Sequence, residues 1–183
     1  MFQLKSFFTG RISRLFLFAL IVFVVIPMEV QAQRINEPFD GKRGVTLAPI
    51  AGLVYSHSGL ALGVRLGIPI IHNGFIPTLN NSVSINFGVD TYFTPVHNDL
   101  LFALSFPITL HWEFYFNSRW SAFGELGANI YLDAAFLKGG QFLFAPDRWL
   151  FFAFGGKMHF SDNFGLVLRV GYPYVSFGVV FTF

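Results

Sequence analysis

The sequence predicts an all-β protein, an eight-stranded antiparallel up-and-down transmembrane β-barrel preceded by a cleaved signal peptide. Charged residues make up only 12% of the 183 residues, whereas hydrophobic residues make up 54% and aromatic residues 19%. Soluble domains average roughly 25% charged residues, so most of this surface is not suited to water. One long apolar run lies near the N-terminus, and the remaining sequence alternates with the period of two that is typical of strands.

The first 32 residues have the three-part pattern of a secretory signal peptide. Basic residues precede the apolar stretch "LFLFALIVFVVIP", and "MEVQA" then places small residues at Val30 and Ala32. The stretch is shorter than the roughly 20 apolar residues that a spanning helix needs. We therefore predict a signal peptide over 1–32, a short and poorly ordered periplasmic segment over 33–43, and a barrel over 44–183.

Cleavage after Ala32 removes the positive charge of the chain. Three of the 12 basic residues and one of the 10 acidic residues precede the cleavage site, which leaves 9 of each sign. The basic isoelectric point of about 9.0 therefore belongs to the export signal and does not indicate a nucleic-acid partner. The chain has no cysteine, which excludes a lipid anchor on cysteine and any disulfide.

Eight alternating segments follow the predicted signal, and turn residues separate them. Most of them reach the roughly 9–11 residues that a tilted strand needs to cross a bilayer. We predict outward-facing connections after the odd-numbered segments and periplasmic connections after the even-numbered ones, since the chain enters from the periplasm. The segments cover 45–56, 60–71, 81–93, 101–116, 120–132, 149–160, 164–172 and 174–183.

The two faces of these segments differ in size and polarity. In segment 101–116, large apolar residues such as Phe106 and Leu110 share one face, and polar residues such as Thr109 and Glu113 share the other. Charges on the narrower face indicate an inside-out barrel with lipid outside and a polar interior. A sheet can span hydrocarbon only if it closes, and eight strands leave an interior that side chains fill.

Six charged residues fall on the predicted inner face, one on each segment from the second to the seventh. An unpaired buried charge costs several kcal/mol, so we expect these charges to pair in a network that seals the lumen. A gated pore, in which the pairs exchange partners, is the alternative. The six residues are Arg65, Asp90, Glu113, Glu125, Lys157 and Arg169.

Aromatic residues and prolines give two further expectations. Five tyrosines fall at predicted outer ends and Tyr115 falls at the inner rim with Trp112 and Trp120, which predicts aromatic girdles at both interfaces. The five are Tyr55, Tyr92, Tyr131, Tyr172 and Tyr174. Pro49, Pro69 and Pro107 each remove a donor from a strand, so we expect a bulge or a changed register, above all at Pro107.

Catalytic and metal-binding patterns are weak. His159 and Ser161 have a His-x-Ser spacing that is similar to the lipid A deacylase barrels, but no glutamate follows Glu125 in this chain. His111 lies on the polar face two residues before Glu113, and His57, His72 and His97 fall in connections, so no metal-ligand spacing is present. We predict neither an enzyme nor a cofactor.

The connection at 133–148 is long and unusually apolar. It is predicted to extend segments five and six as an apolar hairpin; a flap over the mouth and a binding surface for a hydrophobic ligand or partner are the alternatives. Its large apolar residues are Phe136, Leu137, Phe142, Leu143 and Phe144.

The signal peptide, the eight segments and the aromatic last segment "YVSFGVVFTF" together resemble the small Gram-negative outer-membrane barrels, such as OmpX, OmpW and the membrane domain of OmpA. The resemblance covers residues 44–183 and is architectural. It implies that Tyr174, Phe181 and Phe183 form a signal for the barrel assembly machinery.

The expected role follows from this architecture. We predict a monomeric outer-membrane protein of a Gram-negative bacterium with a structural or interaction role. Its expected partners are outer-membrane lipid and, during biogenesis, the barrel assembly machinery and periplasmic chaperones. A passive conduit for small apolar molecules and a lipid-modifying enzyme are the alternatives.

Overall fold

The computed structural model describes residues 35–55, 59–96, 99–132 and 149–183. The predicted signal peptide and the connection 133–148 lie outside the described residues, and the boundaries predicted for them stay predictions. In the described part of the chain, no helix is long and apolar enough to cross a membrane.

Eight antiparallel strands form a closed barrel in sequence order, which confirms the predicted all-β fold. The last strand pairs with the first from Val54↔Tyr174 to Thr46↔Thr182, and Val45 and Phe183 exchange backbone hydrogen bonds at 3.1 and 2.9 Å. The strands are β1 (Thr46–Val54), β2 (Gly59–Ile71), β3 (Asn81–Val96), β4 (Asp99–Tyr115), β5 (Trp120–Leu132), β6 (Leu150–Ser161), β7 (Phe164–Tyr172) and β8 (Tyr174–Thr182).

Each strand exposes every second residue and buries the ones between. The outward positions are large and apolar, as on β5, where Leu126 is 62% exposed, and on β6, where Phe154 is 67% exposed. Among the strand residues whose side chains are described, no outward position holds an aspartate, glutamate, lysine, arginine or histidine. The interior holds the charges together with small residues and a few rings, such as Phe123 and Phe151.

Of the three prolines predicted to disturb a strand, one coincides with a register shift and two do not. The β2–β3 register shifts between Pro69 and Ile71, as expected for a proline that interrupts a ladder. At Pro107 the expectation was wrong: pairing between β3 and β4 is interrupted there, but Phe87↔Ile108 and Asp90↔Ser105 keep the same register on either side. The β1–β8 register is likewise unchanged across Pro49.

The two ends of the barrel are named here by the connections that they carry. The terminal rim holds Val45, Phe183 and the connections 72–80, 116–119 and 162–163. The distal rim is the opposite end, where β1 joins β2 and β7 joins β8.

The N-terminal segment makes hydrogen bonds to the barrel. Residues 35–44 lie against the terminal rim, where the Ile35 carbonyl accepts the backbone N–H of Asn80 at 2.6 Å and the Arg43 N–H donates to His72 Nδ1 at 3.0 Å. The composition of the segment does not predict these bonds, because their partners lie more than 25 residues away in the chain.

Candidate functional site: the charged lumen

The structure places all six predicted lumen charges inside the barrel, each at most 5% exposed. They form two groups at different heights. The Arg65 cluster contains Arg65, Asp90, Tyr92, Ser105 and Tyr174, and the Glu125 cluster contains Asn86, His111, Glu113, Ser121, Glu125, Lys157 and Arg169.

A bidentate ion pair forms the centre of the Arg65 cluster. Arg65 Nη1 and Nη2 donate to the two carboxylate oxygens of Asp90 at 2.6 and 2.7 Å. Tyr174 from β8 donates its hydroxyl to Asp90 Oδ2 at 2.9 Å and accepts a bond from Arg65 Nη2. The residues of this cluster join β2, β3 and β8 across the lumen. The link is strong, because paired, fork-like hydrogen bonds between arginine and carboxylate are among the strongest in proteins.

Aromatic rings close the lumen around this pair. Tyr131 stacks on Tyr92 with ring centroids 5.8 Å apart, and Phe151 lies against Tyr174 at 6.1 Å. The Arg65 guanidinium also lies 5.5 Å from the centroid of the Phe151 ring. Rings from β3, β5, β6 and β8 therefore surround the ion pair at this level of the lumen.

The predicted tyrosine girdle is consequently wrong in part. Tyr92 and Tyr174 are only 4% and 3% exposed and make hydrogen bonds inside the lumen, so they cannot contact lipid headgroups. Tyr115 also lies on the inner face and shares a hydrogen bond with Ser82. These three tyrosines lie towards the ends of their strands, as predicted, but their side chains face the lumen and not the lipid.

Glu113 is the first of two carboxylates in the Glu125 cluster. Lys157 Nζ donates to Glu113 Oε2 at 2.6 Å, and the Ser121 hydroxyl donates to Oε1 at 2.5 Å. Lys157 is on β6 and Glu113 on β4, so this ion pair passes across the intervening strand β5. It thereby ties together strands that share no backbone ladder.

Glu125 is the second carboxylate, and three side chains converge on its Oε1 atom. His111 Nδ1 lies 2.7 Å away, Asn86 Nδ2 donates at 3.0 Å and Arg169 Nε donates at 3.3 Å. The other ring nitrogen of His111 lies 3.2 Å from Glu113 Oε2. His111 therefore bridges the two carboxylates and makes them one cluster.

Six members of the two clusters were missing from the predicted network, namely Asn86, Tyr92, Ser105, His111, Ser121 and Tyr174. Each occupies an inner position of its strand, so the alternation of faces already contained the signal. Their roles depend on height along the barrel axis, however, which the alternation does not give.

Some buried polar atoms of the lumen remain outside these networks. Considering only the described residues, six such atoms make no hydrogen bond: Arg65 Nε, Thr109 Oγ1, Glu125 Oε2, Asn129 Oδ1, Arg169 Nη1 and Ser176 Oγ. All but Arg65 Nε belong to one group of neighbouring residues. Thr109 pairs with Gly127, which separates Glu125 from Asn129 on the inner face of β5, and Arg169, which contacts Glu125, pairs with Ser176. Hydrogen bonding in the interior is therefore least complete around this group.

The His-x-Ser pair does not assemble a hydrolytic site. His159 Nε2 lies 3.4 Å from Ser121 Oγ and 3.9 Å from Glu113 Oε1, whereas Ser161 is exposed beyond the β6–β7 register shift. The Ser121 hydroxyl donates to Glu113, which is paired with Lys157, so its proton is not directed at His159 and the serine–histidine–acid arrangement of nucleophilic catalysis is not formed. Across the described ranges, no group of three or more acidic, histidine or cysteine side chains could hold a metal ion.

The remaining predicted site residues lie elsewhere. Phe181 and Phe183 are on the outer surface, and the Phe181 ring packs on Phe164 with centroids 5.7 Å apart. Tyr174 belongs to the Arg65 cluster, and the predicted assembly signal stays a prediction. The apolar residues Phe136, Leu137, Phe142, Leu143 and Phe144 lie outside the described residues.

Comparison with known proteins finds similarity in fold. A de novo designed transmembrane β-barrel is 10% identical, with 79% of this chain and 100% of that chain covered and a TM-score of 0.47. The outer membrane enzyme PagL is 13% identical (75% and 99% covered, TM-score 0.43). The Yersinia pestis outer membrane protein Ail is 14% identical (78% and 100% covered, TM-score 0.46).

No protein-family model matches the sequence, and no curated protein matches it either. The strand register of this chain itself establishes the closed eight-stranded barrel, which confirms the fold that the resemblance implied. At these identities the three structures show nothing about activity.

Proposed function

We propose that this chain is an integral outer-membrane β-barrel of a Gram-negative bacterium, with a sealed lumen and a structural or interaction role. The observation that carries the proposal is the distribution of charge: the six lumen charges are buried, while the outward strand positions whose side chains are described have none. A water-soluble barrel has the opposite distribution, because a charged side chain loses its hydration when it is buried.

The apolar outer surface supports a lipid environment. Exposed large hydrophobic residues occur on all eight strands, from Leu53 on β1 to Phe177 on β8. The largest apolar patch on a typical soluble monomer covers about 300–600 Å², and a band around a whole barrel exceeds this. The signal peptide predicted over 1–32 and the eight-stranded closure favour the outer membrane.

The packed interior supports a role without transport. The Arg65 cluster and the Glu125 cluster cross the lumen at two heights, and rings of Tyr92, Tyr131 and Phe151 fill the space beside them. Eight-stranded barrels of this kind are filled by side chains and leave no aqueous channel. We therefore expect the protein to act through its surface, as a structural component or by binding a partner.

A lysine on the outer surface tests the membrane location. Phe154→Lys places a charge at the middle of β6, which should lower the free energy of unfolding in phospholipid vesicles by about 2–4 kcal/mol. Ser118→Lys in the exposed β4–β5 connection is the matched control and should change it by less than about 0.5 kcal/mol. If Phe154→Lys is as stable as the control, or makes the protein soluble without lipid, the membrane proposal is wrong.

Planar-bilayer recording tests the sealed lumen. Purified protein inserted in a lipid bilayer should give no single-channel current above background. A reproducible conductance would contradict the sealed lumen and favour the conduit. A separate experiment tests for lipid modification: the protein is expressed in a reporter strain, and the mass of lipid A is measured by mass spectrometry.

A further inference from the structure

Arg43 in the N-terminal segment makes a dense set of contacts at the terminal rim. Its Nε donates to the His72 carbonyl at 3.1 Å and its Nη2 donates to Asn80 Oδ1 at 2.5 Å. Its backbone N–H donates to His72 Nδ1 at 3.0 Å. One residue outside the barrel is thus bonded to the end of β2 and to the start of β3.

The Arg43 guanidinium is also held between two aromatic rings. It lies 4.1 Å from the centroid of Phe39, in the same segment, and 3.8 Å from the centroid of Tyr115, on the inner face of β4. The segment bends at Gly41, whose φ of 149° favours glycine. Phe39 and Arg43 lie on either side of this bend and stack on each other.

The contacts of Arg43 lie directly beside the entrance to the Glu125 cluster. Tyr115 is the next inner position of β4 after Glu113, and its hydroxyl lies 3.2 Å from Ser82 Oγ. On the other side of the mouth, His159 has 19% of its side chain exposed, against 4% for Glu113 below it. Side-chain exposure therefore falls from His159, at the mouth, to the Glu113 carboxylate below it.

We propose that residues 35–44 form a strap that closes the terminal mouth of the barrel, with Arg43 as its clasp between Phe39 and Tyr115, and that this strap keeps water from the Glu113–Lys157 ion pair. The strands alone then do not seal the lumen, because its terminal end is closed by residues 35–44, which form no part of the β-sheet. Arginine suits this position, since its planar guanidinium stacks on rings while its N–H groups bond in the plane.

Cysteine labelling tests the strap, because the chain has no native cysteine. Ser121→Cys places a thiol in the buried Glu125 cluster, where Ser121 is 3% exposed, and its reaction with a hydrophilic maleimide is followed in detergent micelles. Adding Arg43→Ala should raise the labelling rate on the order of tenfold, since the loss of one charge-assisted hydrogen bond suffices for such a change. Arg43→Lys should give a smaller rise, because it keeps the charge and loses the stacking.

Two controls keep the result interpretable. Lys42→Ala, at the exposed neighbouring position, should leave the Ser121→Cys rate within about twofold. Ser105→Cys reports on the Arg65 cluster, deep in the barrel, and should stay unreactive when Arg43→Ala is added. An unchanged labelling rate at Ser121→Cys would overturn the proposal. An equal rise at Ser105→Cys would also overturn it, because it would show that Arg43→Ala destabilises the whole barrel and not only its terminal mouth. Micelle labelling does not depend on where the protein resides, so failure here leaves the proposed function untouched.

Discussion

The Arg65–Asp90 ion pair allows the stability of the lumen to be tested quantitatively. Arg65→Met removes a guanidinium that makes two hydrogen bonds to Asp90, at 2.6 and 2.7 Å, with the two side chains 2% and 1% exposed. Removing one partner of a buried ion pair costs roughly 3–5 kcal/mol, because the remaining charge is left uncompensated. Solvent does not reach this pair, so screening does not reduce the figure.

Adding up the individual hydrogen bonds gives a similar loss in the free energy of unfolding for Arg65→Met. Two hydrogen bonds to charged groups contribute about 1.5–3 kcal/mol each, or about 3–6 kcal/mol together. Tyr174 continues to donate to Asp90 in the variant, which places the expected loss near the lower end of this range. Methionine fills much of the volume of the arginine side chain, so a cavity adds little. We expect a loss of about 3–4 kcal/mol.

Two further variants separate the ion pair from general damage to the lumen. Arg65→Met combined with Asp90→Asn leaves no isolated charge and keeps an acceptor for Tyr174, so it should recover most of the loss. Arg169→Met removes a single bond of 3.3 Å to Glu125, and should therefore cost less, about 1.5–3 kcal/mol.

Urea unfolding in phospholipid vesicles, followed by tryptophan fluorescence, measures these differences. The reasoning is refuted if Arg65→Met lowers the free energy of unfolding by less than about 1 kcal/mol. It is also refuted if Arg65→Met with Asp90→Asn is no more stable than Arg65→Met alone. Bilayer conductance should stay at background for both Arg65→Met and Arg169→Met, because the rings around the clusters still fill the lumen.

Two shorter predictions concern the hydroxyl groups of the lumen. Thr109→Val should leave the free energy of unfolding unchanged or raise it by up to about 1 kcal/mol, because the Thr109 hydroxyl is buried without a hydrogen bond; a loss above about 1 kcal/mol would show that water occupies this level. Tyr174→Phe should lower it by about 1–3 kcal/mol, since the hydroxyl that donates to Asp90 is lost. Tyr172→Phe, on the outer face, is the control and should stay within about 0.5 kcal/mol, so equal effects at the two tyrosines would contradict the assignment.

The strands could be predicted because both faces of each carry a distinct signal. A shift of register by one residue would turn Leu126 into the lumen and Glu125 into lipid, which fixes the face of β5 strongly. The bounds of β5 and β7 agree with the predicted segments to the residue. Disagreement is limited to strand ends such as Val96, where β3 continues past the predicted residue 93 because it pairs with an equally long β4.

The pairing of charges could be predicted only in part, because alternation gives the face of a residue but not its height. His111 and Glu125 are direct partners in the β4–β5 ladder, so their contact follows from register alone. Lys157 and Glu113 are on strands that do not pair, and Tyr174 reaches Asp90 from a strand 84 residues later. These contacts exist only once the barrel has closed, which no local pattern encodes.

The glycines of the inner face explain why an eight-stranded barrel can hold so many charges. A side-chain carbon added at Gly88 would overlap the Arg65 guanidinium and Pro107, and one added at Gly63 would overlap the Asp90 carboxylate. The ion pair therefore occupies space that a larger residue on the neighbouring inner position would fill. The narrow inner face, whose charges indicate an inside-out barrel, is thus a requirement of the charge network, since the Arg65–Asp90 pair needs small neighbours at Gly63 and Gly88.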